Sequence, residues 1–158
     1  MSDDASVSDD EAAIAAQSAP LRPIDILAHR DPFLFVSEIV SVEPGVRIHA
    51  RWHLSGDEVF WPGHFPGRPT LPGVLMVESL AQTGAIALLT DARFTGKLPL
   101  FGGVDSARFR RQVVPGDTLD LQVTMGRIGA RAGKGTGVAT VGGQKACEAE
   151  LLFVIVDA

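Results

Sequence analysis

From residue 46 the chain alternates strictly. Val46, Ile48, Ala50, Trp52 and Leu54 interleave with Arg47, His49, Arg51 and His53. Period two is the mark of a strand with one buried face, and this is the clearest strand the sequence predicts. Leu119, Leu121, Val123 and Met125 repeat it. Phe33 to Val42, Leu98 to Val104, Ala107 to Val114, Lys134 to Val141 and Gln144 to Val156 read as further strands. The last two flank Gly142-Gly143, a two-residue hairpin signal. Val74 to Leu89 differs, with 11 apolar residues among 16 and its polar positions Glu78, Ser79, Gln82 and Thr83 on one stripe at helical spacing. A helix this apolar must be covered on several sides. A shorter helix is predicted over Pro23 to Leu27, with proline in its first turn. It ends before a turn at His29-Arg30-Asp31-Pro32, because Asp31 precedes a proline. Antiparallel strands around one buried helix predict an α+β domain, and no internal repeat is visible.

Between the alternating strand and the apolar helix lies PGHFPGRPTLPG, residues 62 to 73, with four prolines and three glycines. Neither a helix interior nor a central strand tolerates this, so the segment is a stiff loop.

Composition changes the picture at one end of the chain. The 158 residues, 46% apolar and 21% charged, suit one globular domain with a real core. The net charge of −5 argues against the basic footprint of a nucleic-acid binder. Residues 1 to 20 hold five acids and no base, which predicts a disordered acidic tail and a domain running from 21 to 158. Beyond the tail, 14 bases balance 14 acids. Residues 93 to 134 concentrate eight of those bases against three acids, a basic stretch suited to an acidic partner or, alternatively, a solvated face. No apolar run reaches the ~18 residues of a membrane helix. The acidic start does not fit a signal peptide, and a single cysteine, Cys147, cannot close a disulfide within the chain. The expected location is the cytoplasm.

Few residues carry chemistry. His49 and His53 lie on the polar face of their strand and read as solvated. His29 sits in a turn, where a structural bond to a carbonyl competes with a catalytic role. His64 stands in the stiff loop between Gly63 and Phe65-Pro66-Gly67, where a substrate can approach closely. Glu78 is a carboxyl group on an otherwise apolar helix, costly unless paired or protonated. Burial favours its neutral acid, able to donate a proton; the structural alternative is a hydrogen bond to Gln82 or to backbone. Gly73 opens the helix, so its N–H is a free donor reinforced by the helix dipole and suited to an oxyanion. A base, an acid and an oxyanion donor together permit removal of a proton α to a carbonyl with departure of a neighbouring hydroxyl. HExxH, CxxC and GxSxG spacings are missing, so metal ligation and a serine nucleophile have no motif behind them. Cys147, between Ala146 and Ala149, reads as packed rather than reactive.

Gly63-His64-Phe65-Pro66-Gly67, Leu71-Pro72-Gly73-Val74-Leu75-Met76-Val77-Glu78 and Leu80-Ala81-Gln82 closely resemble the 3-hydroxyacyl-(acyl carrier protein) dehydratases of type II fatty-acid synthesis. His29-Arg30 with Pro32-Phe33-Leu34, Ala107 to Arg111, and Val114-Pro115-Gly116-Asp117 fit the same family. Gly137-Val138-Ala139 and Ala146 to Leu151 extend the likeness towards the C-terminus. The resemblance implies a hot-dog fold, an antiparallel sheet wrapped around the long helix. It implies a homodimer with two sites at the interface, usually assembled as a trimer of dimers, and no metal or organic cofactor. On this likeness His64 removes the C2 proton and Glu78 of the partner subunit protonates or orients the departing C3 hydroxyl. The Gly73 N–H holds the thioester oxygen and Gln82 orients the Glu78 carboxyl. The product is a trans-2-enoyl thioester. Glu rather than Asp at position 78 favours simple dehydration over dehydration with isomerisation.

An acyl carrier protein is acidic and bears a phosphopantetheine phosphate, so Arg108, Arg110 and Arg111 are the candidate docking residues. Strand alternation turns Arg108 and Arg110 outward if Phe109 is core. Departures from the family fall at Asp31, Ser37-Glu38, Arg68 and Leu100-Phe101, where a tunnel tyrosine is often found. They leave His64 and Glu78 intact and bear on acyl length and pathway. Three alternatives remain: a polyketide or polyene dehydratase paralogue, a hot-dog acyl-thioesterase, and a non-enzymatic acyl-carrier-binding module.

Overall fold

The computed structural model describes residues 19–158, so the proposed tail lies almost wholly outside the described residues. A short helix, α1 (Pro23–Ile26), leads into strands β1 (Glu38–Glu43) and β2 (Arg47–His53). The stiff loop carries a 3-10 turn over Trp61–Gly63 and delivers the chain to α2 (Gly73–Leu89). After a second 3-10 turn come β3 (Lys97–Phe109), β4 (Thr118–Ile128), β5 (Ala132–Val141) and β6 (Gln144–Asp157). All pairings are antiparallel, in the order β1-β2-β4-β5-β6-β3, and the sheet wraps around α2. This is the expected α+β hot-dog architecture. No helix among the described residues is long and apolar enough to cross a membrane.

Period-two patterning decides which face is inside. Ile48, Ala50 and Trp52 of β2, Leu119, Leu121, Val123 and Met125 of β4, and Leu151, Phe153 and Ile155 of β6 are all buried. The inward face of β5 is instead Gly133, Gly135, Gly137 and Ala139. These small residues let the helix lie close: a Cβ at Gly137 would stand 3.1 Å from Leu80, and one at Gly84 would stand 2.6 Å from the Phe153 ring. Of the polar stripe on α2, Ser79, Gln82 and Thr83 are buried. Two of these settle their hydroxyls locally, Ser79 donating to the Met76 carbonyl and Thr83 to that of Ser79. Gly142 and Gly143 both take positive φ, as the hairpin requires.

Two strand expectations need correction. Residues 33 to 37 stand outside the assigned strands, although the Ser37 N–H already donates to the Arg51 carbonyl of β2 at 2.7 Å, and β1 begins only at Glu38. At Phe33 and Phe35 the backbone finds a side chain instead of a strand: the Phe35 N–H donates to Gln82 Oε1 at 2.8 Å, and Gln82 Nε2 donates to the Phe33 carbonyl at 3.0 Å. The two strands expected over 98 to 114 are one, β3, paired along its length with β6 across two register shifts. It stops at Phe109, and the following Arg110 N–H makes a last bond to the Ala146 carbonyl.

Candidate active site

The stiff loop aims His64. Its ring is half-buried, and Nδ1 lies 2.6 Å from the Thr70 carbonyl, which can only accept. Nδ1 therefore carries the proton, leaving Nε2 with its lone pair. The His64–Phe65 peptide is cis and the two rings stack at 4.0 Å. His64 opens onto a cleft of about 520 Å³ shared with Gly73, Met76, Phe109, Arg110 and Arg111. Gly73 is the first residue of α2, so its N–H has no acceptor within the helix. A side chain there would meet the Phe109 ring at 2.9 Å, which explains glycine at this wall of the cleft.

Glu78 lies one turn further along α2, its side chain 20% exposed. Gln82 Nε2 donates to its Oε1 at 3.0 Å, and His29 Nε2 stands 3.6 Å from the same oxygen. The turn holding His29 is fixed by Arg30, whose Nη1 donates to the carbonyls of Leu27 and His29 at 2.8 and 2.7 Å. Glu78 lines a cavity of only about 30 Å³ with His29, Gln82, Pro99, Phe101 and Phe153. Within one chain, then, the candidate base and the candidate acid face separate cavities. Sequence reasoning gave His29 chiefly a structural reading, because its neighbour Glu78 is distant along the chain.

The arginines divide. Phe109 is 52% exposed, so it is not core, and the alternation argument built on it does not hold. Arg108 is exposed and free of ion pairs among the described residues. Arg110 rims the His64 cleft and pairs with Glu148 at 2.5 Å. Hydrogen bonds from Arg110 and then Lys145 hold the Glu148 carboxyl down at about 2. Arg111 is half-buried and donates to Gln144 Oε1 at 2.9 Å.

Other candidates stay apart from the cleft. His49 pairs with Asp120 at 2.8 Å and His53 lies 3.4 Å from Glu38, both on the outer face of the sheet. His49 is hydrogen-bonded to a carboxylate rather than merely solvated, whereas the His53 ring is exposed and bonds Thr118. Cys147 is buried, and burial pushes its thiol up to about 11, away from reactivity. No cluster of three metal-ligating side chains exists among the described residues.

A family model described as FabA-like domain matches residues 27–150. Among curated proteins, the chain is 52% identical over 130 residues to 3-hydroxyacyl-(acyl-carrier-protein) dehydratase FabZ of Latilactobacillus sakei, covering 82% of this chain and 93% of that protein. It is 53% identical to FabZ of Chloroflexus aggregans, covering 84% and 92%. The dehydratase heterocomplex ApeI:P of Xenorhabdus doucetiae shares the fold at a TM-score of 0.73 and 20% identity, covering 87% of this chain and 92% of that one. A thioesterase of Haemophilus influenzae shares it at 0.57 and 18%, covering 76% and 78%. The motif around His64 and Glu78, the wrapped sheet and identity above one half along most of the chain lead to one conclusion: the chain belongs to the FabA-like domain family, alongside the FabZ dehydratases.

Proposed function

We propose that this protein dehydrates (3R)-3-hydroxyacyl thioesters of acyl carrier protein to trans-2-enoyl thioesters in fatty-acid synthesis, through His64 and Glu78. What carries this reading is the coincidence of acid–base groups at those positions with 52% identity to a curated FabZ dehydratase over 82% of the chain.

His64 Nε2, freed by the Thr70 carbonyl, takes the C2 proton. The electrons of that C–H bond become the C2–C3 double bond. The C3–O bond breaks towards oxygen, which receives the Glu78 proton and leaves as water. Negative charge developing on the thioester oxygen is met by the Gly73 N–H at the start of α2. Afterwards His64 holds a proton and Glu78 is a carboxylate, and exchange with solvent resets both.

One chain does not bring the pair together, so the reading includes a homodimer in which the partner copy supplies Glu78 to the His64 cleft. Strand β3 is one of the two edges of the sheet, β1 being the other, and exposes Leu100, Phe101, Val104 and Phe109. A long apolar edge of this kind invites pairing with a second copy. Assembly of three such dimers rests on the family resemblance alone. The partner that delivers substrate is an acidic carrier protein docking on Arg108 and on Arg110 at the rim. Arg110 and Arg111 are both engaged by their own chain, through Glu148 and Gln144, and contribute less than Arg108. The reaction belongs to the cytoplasm.

Hydration of a 2-enoyl thioester, followed as loss of the conjugated absorbance, tests the proposal in reverse. His64→Ala and Glu78→Gln each lower the rate at least ~100-fold, the scale of a lost acid–base group. Full activity in either variant contradicts the assignment. Release of free thiol without hydration points to a thioesterase, and carrier binding without turnover to a binding module.

A further inference from the structure

We infer that His29 is a positioning residue for the acid: together with Gln82 it occupies Glu78 Oε1 and so confines the transferable proton to Oε2. The inference rests on the dehydratase reading above.

The argument starts from donors and acceptors. Gln82 is fixed by two backbone partners, its Oε1 accepting from the Phe35 N–H and its Nε2 donating to the Phe33 carbonyl. Its amide orientation is thereby settled, and the remaining Nε2 hydrogen points to Glu78 Oε1 at 3.0 Å. His29 Nε2 approaches the same oxygen at 3.6 Å, a distance that closes to a hydrogen bond with a small side-chain adjustment. His29 Nδ1 is buried and meets no hydrogen-bond partner among the described residues. An orphaned N–H there costs more than an orphaned lone pair, which favours the tautomer with its hydrogen on Nε2. Two donors converging on Oε1 leave no room for an acid proton on that atom. The proton of neutral Glu78 then resides on Oε2. Once it has left, both donors steady the carboxylate. Arg30 keeps His29 in register by bonding the carbonyls on either side of Ala28.

The test separates the two ring nitrogens. In His29→Gln the amide nitrogen takes the place of Nε2, whereas in His29→Asn it takes the place of Nδ1. His29→Ala lowers kcat for enoyl-thioester hydration about tenfold with KM within about twofold, the scale of one hydrogen bond to a charged group. His29→Gln recovers most of that loss and His29→Asn does not. In a Glu78→Gln background, His29→Ala has no further effect. Asn rescuing as well as Gln, or a loss fully additive with Glu78→Gln, overturns the inference. Unfolding of the Ala variant leaves the Gln-against-Asn comparison to decide, because both keep a polar side chain in the turn. If the unaltered protein fails to hydrate the thioester, it is the dehydratase reading that has failed.

Discussion

At the residue scale, the chain spends its polar groups where apolar ones would pack. Glu78 was legible as an anomaly, a carboxyl on an apolar helix, and His64 as a histidine framed by glycine and proline. Glu78 accepts from Gln82 and the His64 ring bonds the Thr70 carbonyl, the hydrogen bonds that the proposed roles call for. His29 and Phe109 were not legible. The value of His29 lies in an approach to Glu78 across the fold, and Phe109 is a cleft wall although its pattern reads as core. Gly84 gave no signal of its own, yet it is tightly constrained. A methyl group there would stand 2.6 Å from the ring of Phe153, itself 1% exposed. Gly84→Ala is expected to destabilise the fold by about 1–3 kcal/mol through overpacking. Denaturant unfolding would show this as a lower midpoint at unchanged slope, and an unchanged midpoint would mean that the helix simply slides aside.

At the element scale, strict alternation located β2 and β4 within a few residues, and the Gly142-Gly143 hairpin signal placed β5 and β6. Alternation failed where side chains replace strands. Residues 33 to 37 carry strand-like composition, but Gln82 bonds them from the helix. No local pattern announces a glutamine 47 positions away from the N–H it binds. Strand β3 was divided because its register shifts fall between Phe101 and Gly103 and between Val104 and Ser106, interrupting the alternation without ending the ladder. Gln82 is thus both a structural tie and a support of Glu78. Gln82→Leu strands the buried Phe35 N–H and should cost about 1–3 kcal/mol of stability. The same substitution lowers kcat, since Glu78 loses its closest donor. Loss of stability with full kcat would separate the tie from the chemistry and argue against the support role.

At the scale of the whole molecule, charge and surface point to partners. The basic stretch at 93 to 134 is partly neutralised by its own chain, with Lys134 on Asp105, Arg93 on Asp91 and Arg110 on Glu148. Arg108 has no ion pair among the described residues. Arg108→Glu should raise KM for a carrier-linked substrate about three- to tenfold and leave a short free thioester unaffected, as lost electrostatic complementarity predicts. Equal effects on both substrates would remove Arg108 from the docking surface. The proposed dimer accounts for both the apolar β3 edge and the separation of His64 from Glu78, with a second copy that would cover the edge and complete the cleft.

That explanation is tested most directly by subunit complementation. Co-expressing the inactive His64→Ala and Glu78→Gln chains gives mixed dimers with one intact site, formed by His64 of one copy and Glu78 of the other. Random pairing is expected to restore about a quarter of the unaltered hydration rate, since half the dimers are mixed and each has one working site of two. A mixture no more active than the two variants assayed separately would contradict a site shared between copies.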